Sequence, residues 1–320
     1  MHRRTVLKGV AGGLGLAVLH ANGPVLASDG RYRGPILDAH IHQFDPRRPQ
    51  GIPWPEKGDA IYGPALPSQY FKQAAVLGIK GAIAVEASPW REDNFWLLDT
   101  VRADHRMVGF VGNLPLGEKA FAQDYKRFES EPLFLGTRYG NLWDRDLADA
   151  LQKPGFISDL KTLAASGRTL DSANPDPKLL RDLLTLGDRV PELAIMVDHL
   201  PNATVAHEQL SAYTKDLEEI SKRPRVFMKL SEIPRVAAGA QKAVFDVGMY
   251  KDVLGNLWAL FGEDKTVFGS DWPNSEHLGS LAQTVGLAES FLGALPLAVQ
   301  QKVLIDNAKR FYHINHPILS

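Results

Sequence analysis

Short apolar runs alternate along this chain with longer stretches of helical period, eight times over, and this alternation restricts the fold more than any other feature. Parallel strands require crossover connections of a dozen residues or more, which helices of this length supply. The predicted strands are Ile36–Ala39, Ala82–Glu86, Val108–Asn113, Phe134–Arg138, Thr169–Leu170, Leu193–Asp198, Val226–Leu230 and Val267–Ser270. The intervening helices are predicted at Ser68–Leu77, Asn94–Asp104, Ala120–Ser130, Leu147–Ser166, Pro177–Asp188, Ala206–Lys222, Lys242–Phe261 and Leu278–Leu292, and Leu297–Phe311 closes the chain. Asp176 before Pro177 reads as an N-cap with proline at the first helical position, and Gly78, Gly167 and Gly262 stand where C-caps belong. Eight such units predict a (β/α)8 barrel in a single domain, a fold of typically about 250 residues. An open doubly wound sheet is the alternative. The stretch Gln43 to Pro67 holds six of the 21 prolines and is expected to form an ordered lid or pocket wall.

The first residues stand apart. His2-Arg-Arg-Thr-Val-Leu-Lys8 precedes the Gly/Ala-rich apolar run from Gly9 to Leu19, and Val25-Leu-Ala27 ends in small residues. This is the layout of a twin-arginine export signal, so residues 1–27 are expected to be removed and residues 28–320 to form the barrel in the periplasm. The apolar run is about half the ~20 residues that a membrane span needs, so no membrane attachment is expected after cleavage.

A formal charge of −1 supplies no broad field for nucleic acid or anionic lipid. The absence of cysteine removes disulfides, thiolate nucleophiles and sulfur metal sites, so any metal must be held by nitrogen and oxygen.

Such ligands stand at the predicted strand ends, where a barrel of this kind places its reacting groups. Side chains alternate along a strand, so His40 and His42 in Pro35-Ile-Leu-Asp-Ala-His-Ile-His42 share a face. With ten histidines in the chain, the pair alone is weak evidence for a metal. Strand 2 ends in Glu86, strand 4 in Arg138, strand 6 in Asp198-His199, strand 7 in Lys229 and Ser231, and strand 8 in Asp271-Trp272. Alternation allows either His199 or Asp198 to point inward but not both, and His199 is the one expected there. Asp271 shares a face with the small Gly269 and is expected at the mouth. Lys229 is expected inward with Ser231 as a substrate-binding group, His277 lies in the loop after strand 8 within possible reach of a substrate, and Trp272 and Trp90 are candidates to stack on a substrate ring. Arg138 offers a planar donor fork for a substrate carboxylate or sulfonate, or else pairs with a neighbouring loop acid.

Leu37-Asp-Ala-His-Ile-His42, Val197-Asp-His-Leu-Pro201, Lys229-Leu-Ser231, Phe268-Gly-Ser-Asp-Trp-Pro273 and Asn307-Ala-Lys-Arg-Phe-Tyr312 together resemble the amidohydrolase superfamily. The likeness is strongest to its branch of metal-dependent barrel hydrolases that includes sugar-lactone, sulfomuconolactone and pyrone-dicarboxylate hydrolases. The resemblance implies that His40 and His42 are the first-strand metal pair, His199 the sixth-strand histidine, and Asp271 a metal ligand or general base. Strand 4 carries Leu135-Gly-Thr-Arg138, with no lysine or glutamate to bridge two metals, and strand 5 ends without a histidine. A single divalent ion, zinc foremost, or none is therefore expected, with Glu86 able to complete the ligand set.

The expected reaction is the opening of a small-molecule lactone or cyclic ester, anionic or sugar-derived, by water activated by Asp271, with His199 and Arg138 assisting. A metal-dependent decarboxylase of an aromatic or unsaturated acid is the rival within the superfamily. A catalytically inactive periplasmic binding barrel is the rival outside enzymology.

Overall fold

The computed structural model describes residues 30–173, 175–236 and 241–320. The expected export signal at residues 1–27 lies outside the described residues. Eight parallel strands pair in sequence order: β1 (Ile36–His42), β2 (Ile79–Val85), β3 (Met107–Gly112), β4 (Phe134–Arg138), β5 (Thr169–Ser172), β6 (Ile195–Val197), β7 (Val226–Leu230) and β8 (Thr266–Phe268). The sheet returns on itself beyond the ladders, where Asp271 N–H donates to the His40 carbonyl at 2.8 Å and His42 N–H to the Trp272 carbonyl at 2.7 Å. The expected barrel therefore forms, and its seam runs through residues that the sequence places at the site.

The two faces of the strands bury different partners. Ile36, Ala82, Ala84, Phe110, Leu170, Ile195, Met228 and Phe268 pack into the core under the helices. Leu37, Ala39, Ile83, Val85, Val111, Met196 and Val267 form a second core, which Ala308, Phe311 and Tyr312 of the C-terminal helix join. Parallel strands buried on both faces explain why the runs read as continuously apolar rather than alternating.

Helix termini follow local chemistry. The Asp176 carboxylate accepts from Leu179 N–H at 2.7 Å ahead of the helix Pro177–Arg189, and Gly78 takes φ 81° at the predicted C-cap after Leu77. Two predicted helices depart most from their expected extents. The stretch Leu147–Ser166 divides into Leu147–Leu151 and Pro154–Ala165, because proline has no N–H to continue the first helix and fits the first turn of the second. The helix expected from Lys242 begins at Lys251, after a bridge between Val236 and Ala243. The proline-rich stretch is pinned at its base by paired hydrogen bonds between Phe44 and Ala65 of 3.1 and 2.8 Å. No helix among the described residues is long and apolar enough to cross a membrane.

Candidate active site

A β-bulge aims the His-x-His pair. Three steps along β1 from Asp38 to Ile41 face two along β2 from Ala82 to Ala84, so β1 carries one extra residue there. Ala39 and Leu37 join the inner core, Ile41 joins the outer one, and His40 and His42 are left on the inner side. Bulges commonly redirect a side chain beside a functional site. Below the bulge, the buried carboxylate of Asp38 accepts from His40 N–H at 3.1 Å, Ser270 N–H at 2.9 Å and the Tyr70 hydroxyl at 2.6 Å, tying β1 to the end of β8.

His199 and Asp271 arrive differently. Both lie past the ends of their strands, at φ 54° and 59°, a region that costs side-chain-bearing residues strain and clusters at functional sites. The left-handed turn at His199 corrects the either-or expectation for strand 6, since alternation stops at Val197 and both Asp198 and His199 face the site. Asp198 Oδ2 takes Arg138 Nε at 3.0 Å, and His199 Nδ1 meets Ser231 Oγ at 2.8 Å.

Three imidazoles converge on one oxygen. The Nε2 atoms of His42, His40 and His199 stand 3.2, 3.5 and 3.9 Å from Asp271 Oδ1. Burial foremost, then Arg138, lowers His42 to about 4. Burial followed by Lys229 holds His40 well below the ordinary imidazole range. Burial and then the neighbouring Glu232 raise Asp271 well above the ordinary carboxylate range. Both imidazoles are thus neutral near pH 7, and burial likewise favours the neutral form of the Asp271 carboxyl.

These groups open onto a cavity of about 180 Å3 whose wall includes His42, Arg138, His199, Glu232, Asp271 and Asn274. Trp54, from the proline-rich stretch, stands edge-on to His42 at 5.5 Å between ring centres. That stretch is therefore a cavity wall, as expected. Trp143 enters from the loop after β4 at φ 60° and donates to Glu86 Oε2 at 3.1 Å.

Several sequence expectations are corrected by this geometry. Lys229 does not line the cavity: it is fully buried beneath it, with Nζ 2.5 Å from Asp171 Oδ2, 2.9 Å from Asp198 Oδ1 and 3.0 Å from His40 Nδ1. Trp272 packs against Tyr70 and donates to Glu276, because beyond β8 its side chain no longer follows the strand's alternation. Trp90 lines an adjoining cleft with Arg48 and Trp96, which shares Glu86 and Ala87 with the cavity but not the imidazoles. His277 is engaged by Asp59 at 3.1 Å. Arg138 faces the cavity, but Asp198 holds its Nε and Glu86 stands 3.7 Å from Nη1. Glu86 belongs to none of the groups suited to a metal.

Sequence reasoning missed Glu232, Asn274, Trp54 and Trp143, and it set Asp198 aside in favour of His199. Glu232 follows Ser231 at φ 48° and accepts from Asn274 at 2.9 Å, so no strand periodicity marks it. The one usable signal was the Trp within the proline-rich stretch already read as a pocket wall.

The sequence matches the profile of the Amidohydrolase family over residues 37–314. The chain belongs to the amidohydrolase family. An L-fucono-1,5-lactonase from Burkholderia ambifaria is 28% identical over 288 residues, covering 88% of this chain and 96% of that protein. A crystal structure of an amidohydrolase from Burkholderia multivorans with bound zinc superposes with a TM-score of 0.74 at 21% identity, over 88% of this chain and 100% of the other. The 5-carboxyvanillate decarboxylase of Sphingomonas paucimobilis gives 0.58 at 13% identity, over 88% and 99%. At these identities the two structures speak for the shared barrel.

The donor set of this amidohydrolase fits a divalent ion. Buried His40 Nε2 and Asp271 Oδ1 have no hydrogen-bond partner, and three overlapping groups bring ligand atoms within 4.8 Å of one another: His40, His42 and Asp271; His40, Asp198 and His199; His199, Glu232 and Asp271. Nitrogen and carboxylate oxygen suit zinc-like ions.

Proposed function

We propose that this amidohydrolase opens a lactone by hydrolysis, with Asp271 as general base. The convergence of three Nε2 atoms on Asp271 Oδ1 at the cavity floor carries the reading. Asp271 takes a proton from the water that attacks the ring carbonyl and returns it to the alkoxide released as the ring opens. Asn274, bonded to Asp271 Oδ2 at 2.7 Å, fixes the carboxylate so that Oδ1 faces the imidazoles. His199 and Arg138 face the cavity and are placed to stabilise the oxygen that gains charge in the transition state. Asp271, His199 and the strand-1 histidines would hold one divalent ion, zinc by the preference of such ligands, and when bound it supplies Lewis acidity for a carbonyl oxygen and lowers the pKa of water. The lactonase name of the Burkholderia ambifaria relative supports this substrate class. The N-terminal layout supports export by the twin-arginine route to the periplasm, as a mature barrel from residue 28.

A panel of lactones followed by pH indicator tests the reading. The wild type is expected to acidify with at least one of them, and Asp271→Asn to lose about 10²-fold or more of that rate while remaining folded. Unchanged turnover in Asp271→Asn removes the base. Release of CO2 from a carboxylated substrate, with no lactone opened, favours the decarboxylase reading that the shared barrel with 5-carboxyvanillate decarboxylase keeps open.

A further inference from the structure

Glu86 faces the cavity yet joins no metal-binding group, so its carboxylate requires another use. It is 4% exposed. Its Oε2 accepts from Ser88 N–H at 3.0 Å and from Trp143 Nε1 at 3.1 Å. Its Oε1 has only the longer approaches of Trp143 at 3.3 Å and Arg138 at 3.7 Å. A carboxylate offers about four acceptor positions, so Oε1 retains capacity for a donor entering the cavity. At its end of the wall an entering carboxylate would meet an acid that can only accept, whereas a hydroxyl would meet a free acceptor. Trp54 and Trp143 line the same cavity and offer apolar ring faces for the carbon skeleton.

We propose that Glu86, held in place by Trp143, is the specificity-determining acceptor that selects an uncharged, hydroxylated ring and rejects a carboxylated one. This rests on the lactone reading of the site, and it replaces both the metal role expected of Glu86 and the substrate-carboxylate role expected of Arg138. Trp143 acts as a positioning residue, since its N–H orients the carboxylate from a backbone held at φ 60°.

Calorimetric titration with non-hydrolysable δ-lactams tests the assignment: a polyhydroxylated one, plain δ-valerolactam, and one carrying a carboxylate. The wild type is expected to rank them in that order. Glu86→Gln is expected to weaken the hydroxylated lactam about ten-fold or more, to move δ-valerolactam by less than about two-fold, and to strengthen the carboxylated one, because a wall anion has gone. Trp143→Phe keeps a ring but loses the N–H and is expected to weaken the hydroxylated lactam selectively, by a smaller factor. Uniform weakening of all three ligands by both variants, or tightest wild-type binding of the carboxylated lactam, overturns the proposal. Should Glu86→Gln not fold, the wild-type ranking and Trp143→Phe still decide it. Failure of the wild type to open any lactone would remove the catalytic reading and leave the lactam ranking as a separate result.

Discussion

The backbone of Asp271 donates to the carbonyl of His40 at 2.8 Å, while His40 Nε2 stands 3.5 Å from Asp271 Oδ1. This pair therefore helps close the barrel and meets directly beside its cavity, whose wall includes Asp271. Catalytic geometry and fold closure are coupled at this seam, and changes there are expected to affect both.

Gly269 stands just before the seam, where an added Cβ would lie 2.8 Å from His40 Cβ. The contact is with the root of a side chain locked in a bulge, so it cannot swing clear. Gly269→Ala is expected to displace His40, to cost about 1–3 kcal/mol of stability, and to lower kcat/KM on any lactone the wild type opens. Urea unfolding and turnover assays check it, and a variant unchanged in both would show that β1 yields more readily than its packing implies.

Lys229 joins Asp171, Asp198 and His40 at full burial. Burial would raise Asp198, but Lys229 first, then His40 and Arg138, outweigh it and hold its carboxyl well below the ordinary range. Lys229→Met leaves these acids without their cation and is expected to destabilise the fold by about 3–5 kcal/mol. Adding Asp171→Asn is expected to recover part of the loss, measured as a shift in the urea midpoint. No recovery would indicate that Lys229 matters through packing rather than charge.

His42 gives a pH signature in chelator-treated protein. Unfolded, it takes a proton as pH falls below its ordinary 6.5; folded, it resists until about 4. Its contribution is therefore intact above 6.5 and lost as pH falls toward 4, worth about 3 kcal/mol across that window. Asp171, raised by burial to about 6, shifts the wild-type curve in the opposite direction over an overlapping range. Comparison with His42→Gln cancels that contribution: the stability of wild type relative to the variant is expected to fall between pH 7.5 and pH 4. A constant difference would mean that His42 is not buried as a neutral ring.

Metal uptake separates the ligand groups from the rest of the wall. Protein purified without chelator is expected to carry a single zinc per chain by elemental analysis. His199→Gln and Asp271→Asn are expected to lose it, whereas Glu86→Gln keeps it, consistent with the membership of the candidate groups. Added zinc should also raise the unfolding temperature of the wild type, since an ion that binds only the folded state stabilises it. Retention by His199→Gln together with loss in Glu86→Gln would return Glu86 to the ligand set.

Much of the barrel was legible because its signal is local. β4 and β7 coincide with their predicted ranges, and Asp176-Pro177 starts a helix as its capping chemistry dictates. His40, His42, His199 and Asp271 were legible as a set because barrel chemistry gathers at strand ends. Side-chain direction was less legible. Alternation assumes regular strand, but β1 carries a bulge before its histidines, while His199, Glu232 and Asp271 lie past strand ends in left-handed backbone.

The sequence by itself therefore determined the (β/α)8 succession and the roster of polar groups at the strand ends, since hydrophobic period and capping act over a few residues. Tertiary structure alone decided which of those groups meet in the cavity. It brought Trp54, Trp143 and Glu232 to the wall, sent Lys229 beneath it, and placed Trp90 in an adjoining cleft and Trp272 against Tyr70 and Glu276. It also left Glu86 as an acceptor outside the metal groups. These outcomes depend on contacts between residues tens to hundreds of positions apart, which no local pattern encodes.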